Sequence, residues 1–241
     1  MTRIFIDKEI SIGDELVLSD DATRHVVQVL RMTKGDPLIV FNGRGGQYNC
    51  VIRAAQRRSV LVSVIDFAMI ERESHLEITL IQGISRRERM DFSIQKGVEL
   101  GVHTIVPFQA KRSQNRLDDT RAAKRIRHWQ GVIQHACEQC GRNRLPRLTS
   151  IQNIDAIVSS SDTSVGIVMS PLGDCDISRL QISERAVRLV VGPEGGLDAM
   201  ELDRFREAGY FELKLGPRIL RTETAAIVGL TLLQTRFGDL H

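Results

Sequence analysis

The sequence is short of cysteine and of long apolar segments, and these shortages exclude several classes of protein. Only 4 of the 241 residues are cysteines, so no disulfide framework is expected. No apolar run approaches the ~18 residues that a membrane helix needs. The first residues, Met1–Asp7, also lack the basic-then-apolar pattern of a signal peptide. We therefore expect a soluble, cytoplasmic protein that does not bind a membrane.

Two common nucleotide-binding motifs are also absent. No Gly-Lys-Ser or Gly-Lys-Thr follows a glycine-rich turn, which excludes a P-loop, and the three spaced glycines of a dinucleotide fingerprint are missing.

The chain does contain 42% hydrophobic and 26% charged residues, a composition that excludes a disordered protein. Its length of 241 residues allows one large domain or two small ones.

Residues 1–70 are typical of a small β-barrel. They contain short β-branched or alternating runs separated by glycine-rich turns, and one helix that Ser19, Asp20 or Asp21 can cap. The predicted strands are Arg3–Ile6, Leu38–Asn42, Tyr48–Arg53 and Ser59–Ile65.

The pattern changes to alternating strands and helices after a charged linker, so we place a second domain at residues 74–241. Such alternation predicts an α/β fold on a mostly parallel sheet. The predicted strands are Leu76–Gln82, Thr104–Val106 (ended by Pro107), Val165–Met169, Val187–Val191 and Glu212–Leu215. The predicted helices are Arg89–Leu100, Asp119–Gln139, Ala199–Ala208 and an amphipathic Glu223–Phe237.

Positive charge is concentrated in the middle of the chain. The formal net charge is only +3, but residues 86–147 carry 14 basic and 6 acidic residues. Residues 148–241 carry 9 basic and 13 acidic residues. This asymmetry indicates that part of the surface binds a polyanion.

Three glycine-containing turns follow predicted strands in the second domain. They are Met169–Gly173, Gly192–Gly196 and Gly216–Ala225. Ligands of open parallel sheets bind beyond the carboxyl ends of the strands, and glycine lets the backbone approach a ligand closely. The three turns could line one pocket for a nucleotide-like molecule, although each alone could be an ordinary connection.

A metal site is the weaker interpretation of His135, Cys137 and Cys140. A zinc ion would need a further ligand, and cysteines spaced i,i+3 on an amphipathic helix are more simply explained by helix packing. We therefore expect no metal.

The paired motifs Gly192–Gly196 and Leu215–Ala225 resemble the signature of the RsmE family, bacterial 16S ribosomal RNA uridine N3-methyltransferases of the SPOUT superfamily. The resemblance extends over nearly the whole chain, and its further segments are Arg24-His25, Val29–Arg31, Lys34-Gly35, Gln95–Val102 and Glu138–Asn143. The segment Ser85–Glu88 departs from the family pattern, because Arg87 replaces a glycine.

The resemblance implies an N-terminal PUA-like barrel that binds RNA and a C-terminal trefoil-knotted methyltransferase domain. It also implies S-adenosylmethionine as the methyl donor, 16S ribosomal RNA of the small ribosomal subunit as the substrate, and a homodimer. The residues that it implies for cofactor binding are Met169, Ser170, Pro171, Gly192, Glu194, Gly195, Gly196, Leu215, Gly216, Ile219, Leu220 and Thr222.

Methyl transfer to uridine N3 requires that the target base be exposed and that N3 lose its proton. We assign positioning of the uracil and stabilisation of its developing negative charge to Arg221. Glu194 and Glu223 are candidate proton acceptors, although a carboxylate at the start of a helix can also serve only its dipole.

Contact with RNA phosphates is assigned to a set of basic residues, because such contacts dominate RNA affinity. The set is Arg3, Arg24, Arg31, Arg86, Arg87, Lys96, Arg112 and Arg142.

Three alternatives remain open. A SPOUT enzyme could methylate another position, such as a ribose 2′-hydroxyl, or the barrel could serve a non-catalytic RNA-binding protein of the ribosome. A nicotinamide-dependent oxidoreductase is disfavoured by the missing dinucleotide fingerprint.

Overall fold

The computed structural model of the chain describes residues 1–113, 118–160, 163–182 and 185–240. These residues form two compact units. The first contains Met1–Glu73 and Cys137–Leu145, and the second contains Ser74–Ala136 and the chain from Pro146 onward. The assignment of Cys137–Leu145 to the first unit has no counterpart in the predicted domains, because local patterns do not report long-range contacts.

The first unit is a five-stranded sheet with one short helix. Its strands are β1 (Arg3–Phe5), β2 (Glu15–Val17), β3 (Pro37–Phe41), β4 (Gln47–Gln56) and β5 (Ser59–Ala68). Their order is β1-β3-β4-β5-β2, and all neighbours are antiparallel except β1 and β3. Helix α1 (Asp20–Arg24) is capped by the Ser19 hydroxyl and widens into a π-helical turn at His25–Val29.

Every strand of this sheet contributes to one apolar core. Its buried residues include, in strand order, Ile4, Leu16, Leu38, Ile52 and Val62. The predicted small barrel requires such an arrangement, since a curled sheet surrounds a single core. Sequence analysis missed β2, because a strand of three residues is too short to show an alternating pattern.

The second unit is a six-stranded sheet in which all pairings are parallel. The strands are β6 (Glu77–Gly83), β7 (Thr104–Phe108), β8 (Arg147–Leu148), β9 (Val165–Met169), β10 (Ala186–Val191) and β11 (Phe211–Leu213). Their order is β11-β9-β10-β6-β7-β8. The helices of at least five residues are α2 (Arg87–Glu99), α3 (Asp119–Cys140), α4 (Ile154–Val158), α5 (Ala199–Glu207) and α6 (Thr222–Phe237).

Strand β7 continues through Pro107, so the prediction that this proline ends the strand is wrong. The carbonyl oxygens of Ile105 and Pro107 accept hydrogen bonds from Thr149 and Gln152, which places these residues on the side that faces β8. Proline has no N–H to donate to a neighbouring strand. At Pro107 this causes no loss of pairing within the strands, because the neighbouring strand β8 ends at Leu148.

Helix α6 is apolar around most of its circumference, so the prediction of an amphipathic helix is also wrong. Ala226, Leu230 and Leu233 are buried, while Val228 and Leu232 on the other side are half-buried. One apolar side of α6 is buried in the second unit, and the other side leaves apolar surface that is only partly buried.

The parallel strands bring their carboxyl ends to one edge of the second sheet. The three glycine-containing turns leave from β9, β10 and β11 at this edge, as the sequence predicts. No helix among the described residues is long and apolar enough to cross a membrane.

Candidate functional site

The three turns surround one cavity of about 530 Å³. All twelve residues that sequence analysis assigned to the methyl donor line it: Met169, Ser170, Pro171, Gly192, Glu194, Gly195, Gly196, Leu215, Gly216, Ile219, Leu220 and Thr222. Arg221 lines it as well, whereas Glu223 does not. The structure adds further lining residues, of which Arg89 and Leu197 lie outside the three predicted turns, while Leu172 and Arg218 lie within them.

The buried hydroxyl of Thr222 connects the turns to each other. It donates a hydrogen bond to the carbonyl oxygen of Gly192 at 2.6 Å, and it accepts one from Nε2 of the fully buried Gln82 at 3.0 Å. The end of β6, the turn after β10 and the start of α6 are therefore held together by direct bonds away from water.

Replacing Thr222 by valine should lower the free energy of unfolding by about 1–3 kcal/mol. The shape is kept, but the Gly192 carbonyl loses its donor and the Gln82 amide loses one of its two acceptors, the other being the Gly83 carbonyl oxygen. Urea unfolding without ligand measures this change. The control is Thr224→Val on the exposed side of the same helix, for which we expect a change within about 0.5 kcal/mol. Equal effects of the two substitutions would contradict the assigned role of Thr222.

The turn after β10 is also fixed where it enters α5. The Asp198 carboxylate accepts a hydrogen bond from the N–H of Glu201 at 2.8 Å, and the Glu201 carboxylate accepts one from the N–H of Asp198 at 2.9 Å. Lys111 lies 2.8 Å from the Asp198 carboxylate, and this hydrogen bond holds the pKa of Asp198 below its usual range and raises the pKa of Lys111. The capping box sets the direction in which the chain leaves the cavity.

Arg89 lies between the two glutamates that sequence analysis proposed as proton acceptors. Its guanidinium is 3.9 Å from Oε1 of Glu194 and 4.0 Å from Oε1 of Glu223. The Oε2 atoms of both glutamates are buried and have no hydrogen-bond partner among the described residues. The cluster therefore pairs one positive charge with two carboxylates and leaves two acceptor atoms available.

Glu194 has a second, structural contact. Its Oε1 accepts a hydrogen bond of 2.7 Å from the backbone N–H of Arg86, the residue that precedes α2. The N-cap residue of α2, Arg86, makes no capping hydrogen bond with its own side chain. The Glu194 carboxylate, from the turn after β10, instead accepts a backbone N–H at this end of the helix. The bond ties the cavity to the helix turn that carries Arg86, Arg87 and Arg89.

Sequence analysis missed Arg89, although a usable signal was present. Arg89 lies in the first turn of α2, just beyond the carboxyl end of β6, and the rule that located the three glycine turns applies to this strand too. The predicted helix also began at Arg89, two residues after the observed start of α2.

Five of the eight basic residues assigned to RNA are exposed. Arg24 and Arg31 belong to the first unit, while Arg86, Arg87 and Arg112 belong to the second. Arg31 has a φ of 55°, a left-handed conformation that is unusual for a residue other than glycine. Arg112 lines the cavity, and its guanidinium donates to the carbonyl oxygen of Gly195 at 3.2 Å.

Arg142 and Arg3 are corrections to the predicted RNA-binding set, because both are used inside the first unit. Arg142 is 3% exposed and pairs with Glu73. Arg3 donates to Gln47 at 2.7 Å and lies 4.9 Å above the Phe41 ring, and burial lowers its pKa.

Lys96, a further member of that set, is half-buried and pairs with Glu99 at 2.8 Å. We do not retain these three residues as RNA contacts.

The cysteines and histidine that were considered for a metal do not form a binding site among the described residues, where no group of three or more possible ligands is found. Cys137 is buried, and this burial raises the pKa of its thiol to about 12. Its Sγ donates instead to the carbonyl oxygen of Arg144 at 3.7 Å.

Models of two protein families match the chain. An RNA methyltransferase PUA domain matches residues 10–65, and an RNA methyltransferase domain matches residues 72–234. The second match covers more than half of the chain and includes the three turns and the cavity. The fold and the site therefore define an RNA methyltransferase.

Curated relatives and solved structures narrow this class. Ribosomal RNA small subunit methyltransferase E of Buchnera aphidicola is 37% identical over 99% of this chain and 97% of the relative, and that of Bacillus subtilis is 30% identical over 96% and 95%. The crystal structure of that enzyme from Neisseria gonorrhoeae, bound to S-adenosylmethionine, has 34% identity and a TM-score of 0.92 over 100% of both chains. A methyltransferase of Legionella pneumophila with the bound cofactor SAM has 38% identity and a TM-score of 0.95 over 99% of both chains. The chain belongs to the ribosomal RNA small subunit methyltransferase E family.

Proposed function

We propose that the protein transfers a methyl group from S-adenosylmethionine to N3 of a uridine in 16S ribosomal RNA. The observation that carries this proposal is the single cavity in which three turns bring together all twelve residues expected to hold the methyl donor. Membership of the family, and two similar structures that contain this cofactor, support it.

The residues around the cavity fit S-adenosylmethionine. A volume of about 530 Å³ lies within the range of small-ligand sites. Gly196 and Gly216 have positive φ, and a Cβ at either would meet no atom within 4 Å, so their backbone groups are open to a ligand. Leu172 and Ile219 are 85% and 83% exposed at this cavity, and a bound nucleoside would cover such apolar side chains.

When bound, S-adenosylmethionine supplies an electrophilic methyl group on a sulfonium. The protein must then hold the uracil in line with this group and stabilise the negative charge that forms on the ring. Arg221 is exposed and lines the cavity, so its guanidinium can lie against a base brought to the cavity mouth. It orients the uracil and favours its anion.

Glu194 is the better placed of the two proposed proton acceptors. It lines the cavity, and its buried Oε2 has no partner among the residues that the structure describes. Arg89 and the N–H of Arg86 hold the other oxygen in place. Glu223 is the second candidate, because it contacts Arg89 but does not line the cavity.

The exposed basic residues Arg24, Arg31, Arg86, Arg87 and Arg112 contact phosphates of the RNA. Each phosphate contact releases counterions, so RNA affinity should fall about 100-fold or more between 50 and 200 mM salt. Anisotropy of labelled 16S RNA, measured over this range, checks the prediction. A dissociation constant that does not change with salt would remove the electrostatic account, while calorimetry with S-adenosylmethionine serves as a control that should change little.

The proposal extends to assembly, chain topology and location. The half-buried apolar side of α6, with Val228 and Leu232, supports a homodimer, because a second copy would cover it. The bonds of Thr222 to Gly192 and Gln82 support the trefoil knot of the SPOUT superfamily, since they hold the last turn against the ends of earlier strands. We also propose that the protein acts in the cytoplasm, where ribosomal RNA is its substrate.

Mapping of the methylated nucleoside tests the function. Small subunits from a strain that lacks the gene are incubated with purified protein and S-adenosylmethionine, and their RNA is digested and analysed by mass spectrometry. We expect 3-methyluridine in 16S RNA and none without the protein. A 2′-O-methylated nucleoside would support the alternative SPOUT activity, and no methylation with RNA binding intact would support the non-catalytic alternative.

A further inference from the structure

The first half of helix α3 has a basic face that neither the cavity nor the predicted RNA-binding set includes. From Thr120 to Cys137 the sequence contains four basic residues and no acidic residue. Three of the four, Arg121, Lys124 and Arg125, lie on one side of the helix together with His128, because Lys124 and Arg125 come three and four positions after Arg121, and His128 comes four and three positions after them. We refer to these four residues as the α3 basic face.

The side of α3 that lies next to this face packs into the protein. Trp129 and Ile133 are 2% and 0% exposed, and they pack this helix into the second unit. Arg121, Lys124 and His128 are exposed, and Arg125 is half-buried. The four residues extend over about 10 Å of the helix axis.

Two of the four residues on this face have no carboxylate partner in the described part of the chain. Arg121 has one exposed partner, Asp118, at 3.3 Å. Within the described part of the chain, neither Lys124 nor Arg125 has a carboxylate within 4 Å. Lys124 and Arg125 can therefore bind a polyanion without breaking a salt bridge, and Arg121 gives up only one exposed ion pair.

The position of the face indicates which polyanion it binds. His128 Nε2 lies 2.8 Å from the Asp91 carboxylate, and this contact joins α3 to α2 one turn after Arg87. Asp119 and Ala122, in the first turn of α3, line a second cavity together with Asp198, where the turn after β10 enters α5, so this end of α3 lies near the same edge of the sheet as the first cavity. The α3 basic face is therefore continuous with Arg86 and Arg87, which we assign to RNA.

We propose that the α3 basic face is a second phosphate-binding surface, which holds a segment of the substrate RNA beside the cavity. This inference rests on the proposed function for the identity of the polyanion. The α3 basic face adds contacts to the RNA backbone. These contacts increase the affinity for RNA and set its orientation without reading the base sequence.

The test compares two double variants with equal loss of charge. Arg121→Gln/Lys124→Gln removes two charges from the face. The matched control, Arg147→Gln/Arg185→Gln, removes two exposed charges at the amino ends of β8 and β10, the opposite edge of the sheet. Glutamine has a helix propensity close to those of lysine and arginine, so α3 should remain folded. A charge-keeping swap, Arg121→Lys/Lys124→Arg, shows whether charge alone is responsible.

Affinity for deproteinised 16S RNA is measured by anisotropy at several salt concentrations. We expect the α3 double variant to bind about tenfold more weakly at 100 mM salt and to reduce the slope of log Kd against log salt by about 1–2. The control and the swap should stay within about twofold of the unaltered protein. Equal losses in the α3 variant and the control, or an unchanged α3 variant, would overturn the proposal.

Two further measurements separate RNA binding by this face from the proposed methyl transfer and from self-association of the chain. If S-adenosylmethionine fails to bind the unaltered protein while the α3 variant still loses RNA affinity, the proposed function fails and the RNA surface stands. If light scattering shows that the α3 variant changes its oligomeric state and keeps its RNA affinity, the face binds a second copy of the chain and the proposal is wrong.

Discussion

Substitution of Arg221 by alanine should lower the rate of methyl transfer to small-subunit RNA by about 10²–10³-fold. The guanidinium is placed to stabilise a negative charge that exists only as N3 loses its proton, so its loss should reduce kcat while the affinity for S-adenosylmethionine stays unchanged. Single-turnover transfer of a labelled methyl group measures the rate, and calorimetry measures the affinity.

Two further variants make this result specific. Arg236→Ala removes the same charge near the other end of α6, where the guanidinium donates to the Ser178 carbonyl oxygen at 2.9 Å, and it should leave the rate within about twofold. Arg221→Lys keeps the charge but loses the planar geometry, and it should recover part of the rate. Methylation by Arg221→Ala at the rate of the unaltered protein, with equal cofactor affinity, would show that Arg221 has no catalytic role.

Substitution of Gly83 by alanine should cost the protein most of its cofactor affinity and lower its stability by about 1–3 kcal/mol. A Cβ at this position would lie 2.5 Å from the backbone nitrogen of Pro193 and 2.9 Å from the carbonyl carbon of Gly192. Both atoms belong to the turn that lines the cavity, and a backbone cannot move aside as a side chain can. The turn must shift, so its amides and carbonyls leave their positions. Calorimetry with S-adenosylmethionine and urea unfolding measure the two effects.

Gly131→Ala is the matched control for this substitution. Gly131 lies inside α3, and a Cβ there would meet no atom within 4 Å. Alanine should therefore stabilise the helix by about 1 kcal/mol and leave cofactor affinity unchanged. If Gly83→Ala bound S-adenosylmethionine as tightly as Gly131→Ala does, the close approach of β6 to the turn would not matter for the site.

The elements that sequence analysis located best are those whose pattern is local. Val165–Met169 and the start of α3 at Asp119 were predicted to the residue, because buried parallel strands and capped helices carry their signals within a few positions. The glycine turns could be assigned to one edge of the sheet for the same reason, since parallel strands leave their carboxyl ends together.

The errors concern features that depend on distant residues. A proline usually interrupts a strand, because it has no N–H. At Pro107 the missing N–H has no consequence, because the neighbouring strand ends at Leu148. Arg142 was assigned to RNA by its charge, and only the fold brings it beside Glu73. Arg89 was passed over because the two glutamates beside it lie over 100 residues away in the chain.

Titration of the purified, folded protein with S-adenosylmethionine in a calorimeter tests most directly whether the three turns form one site for an activated methyl donor. We predict saturable binding with one site per chain, and markedly weaker binding by Gly83→Ala but not by Gly131→Ala. A well-folded protein that takes up no S-adenosylmethionine at millimolar concentration would contradict the account.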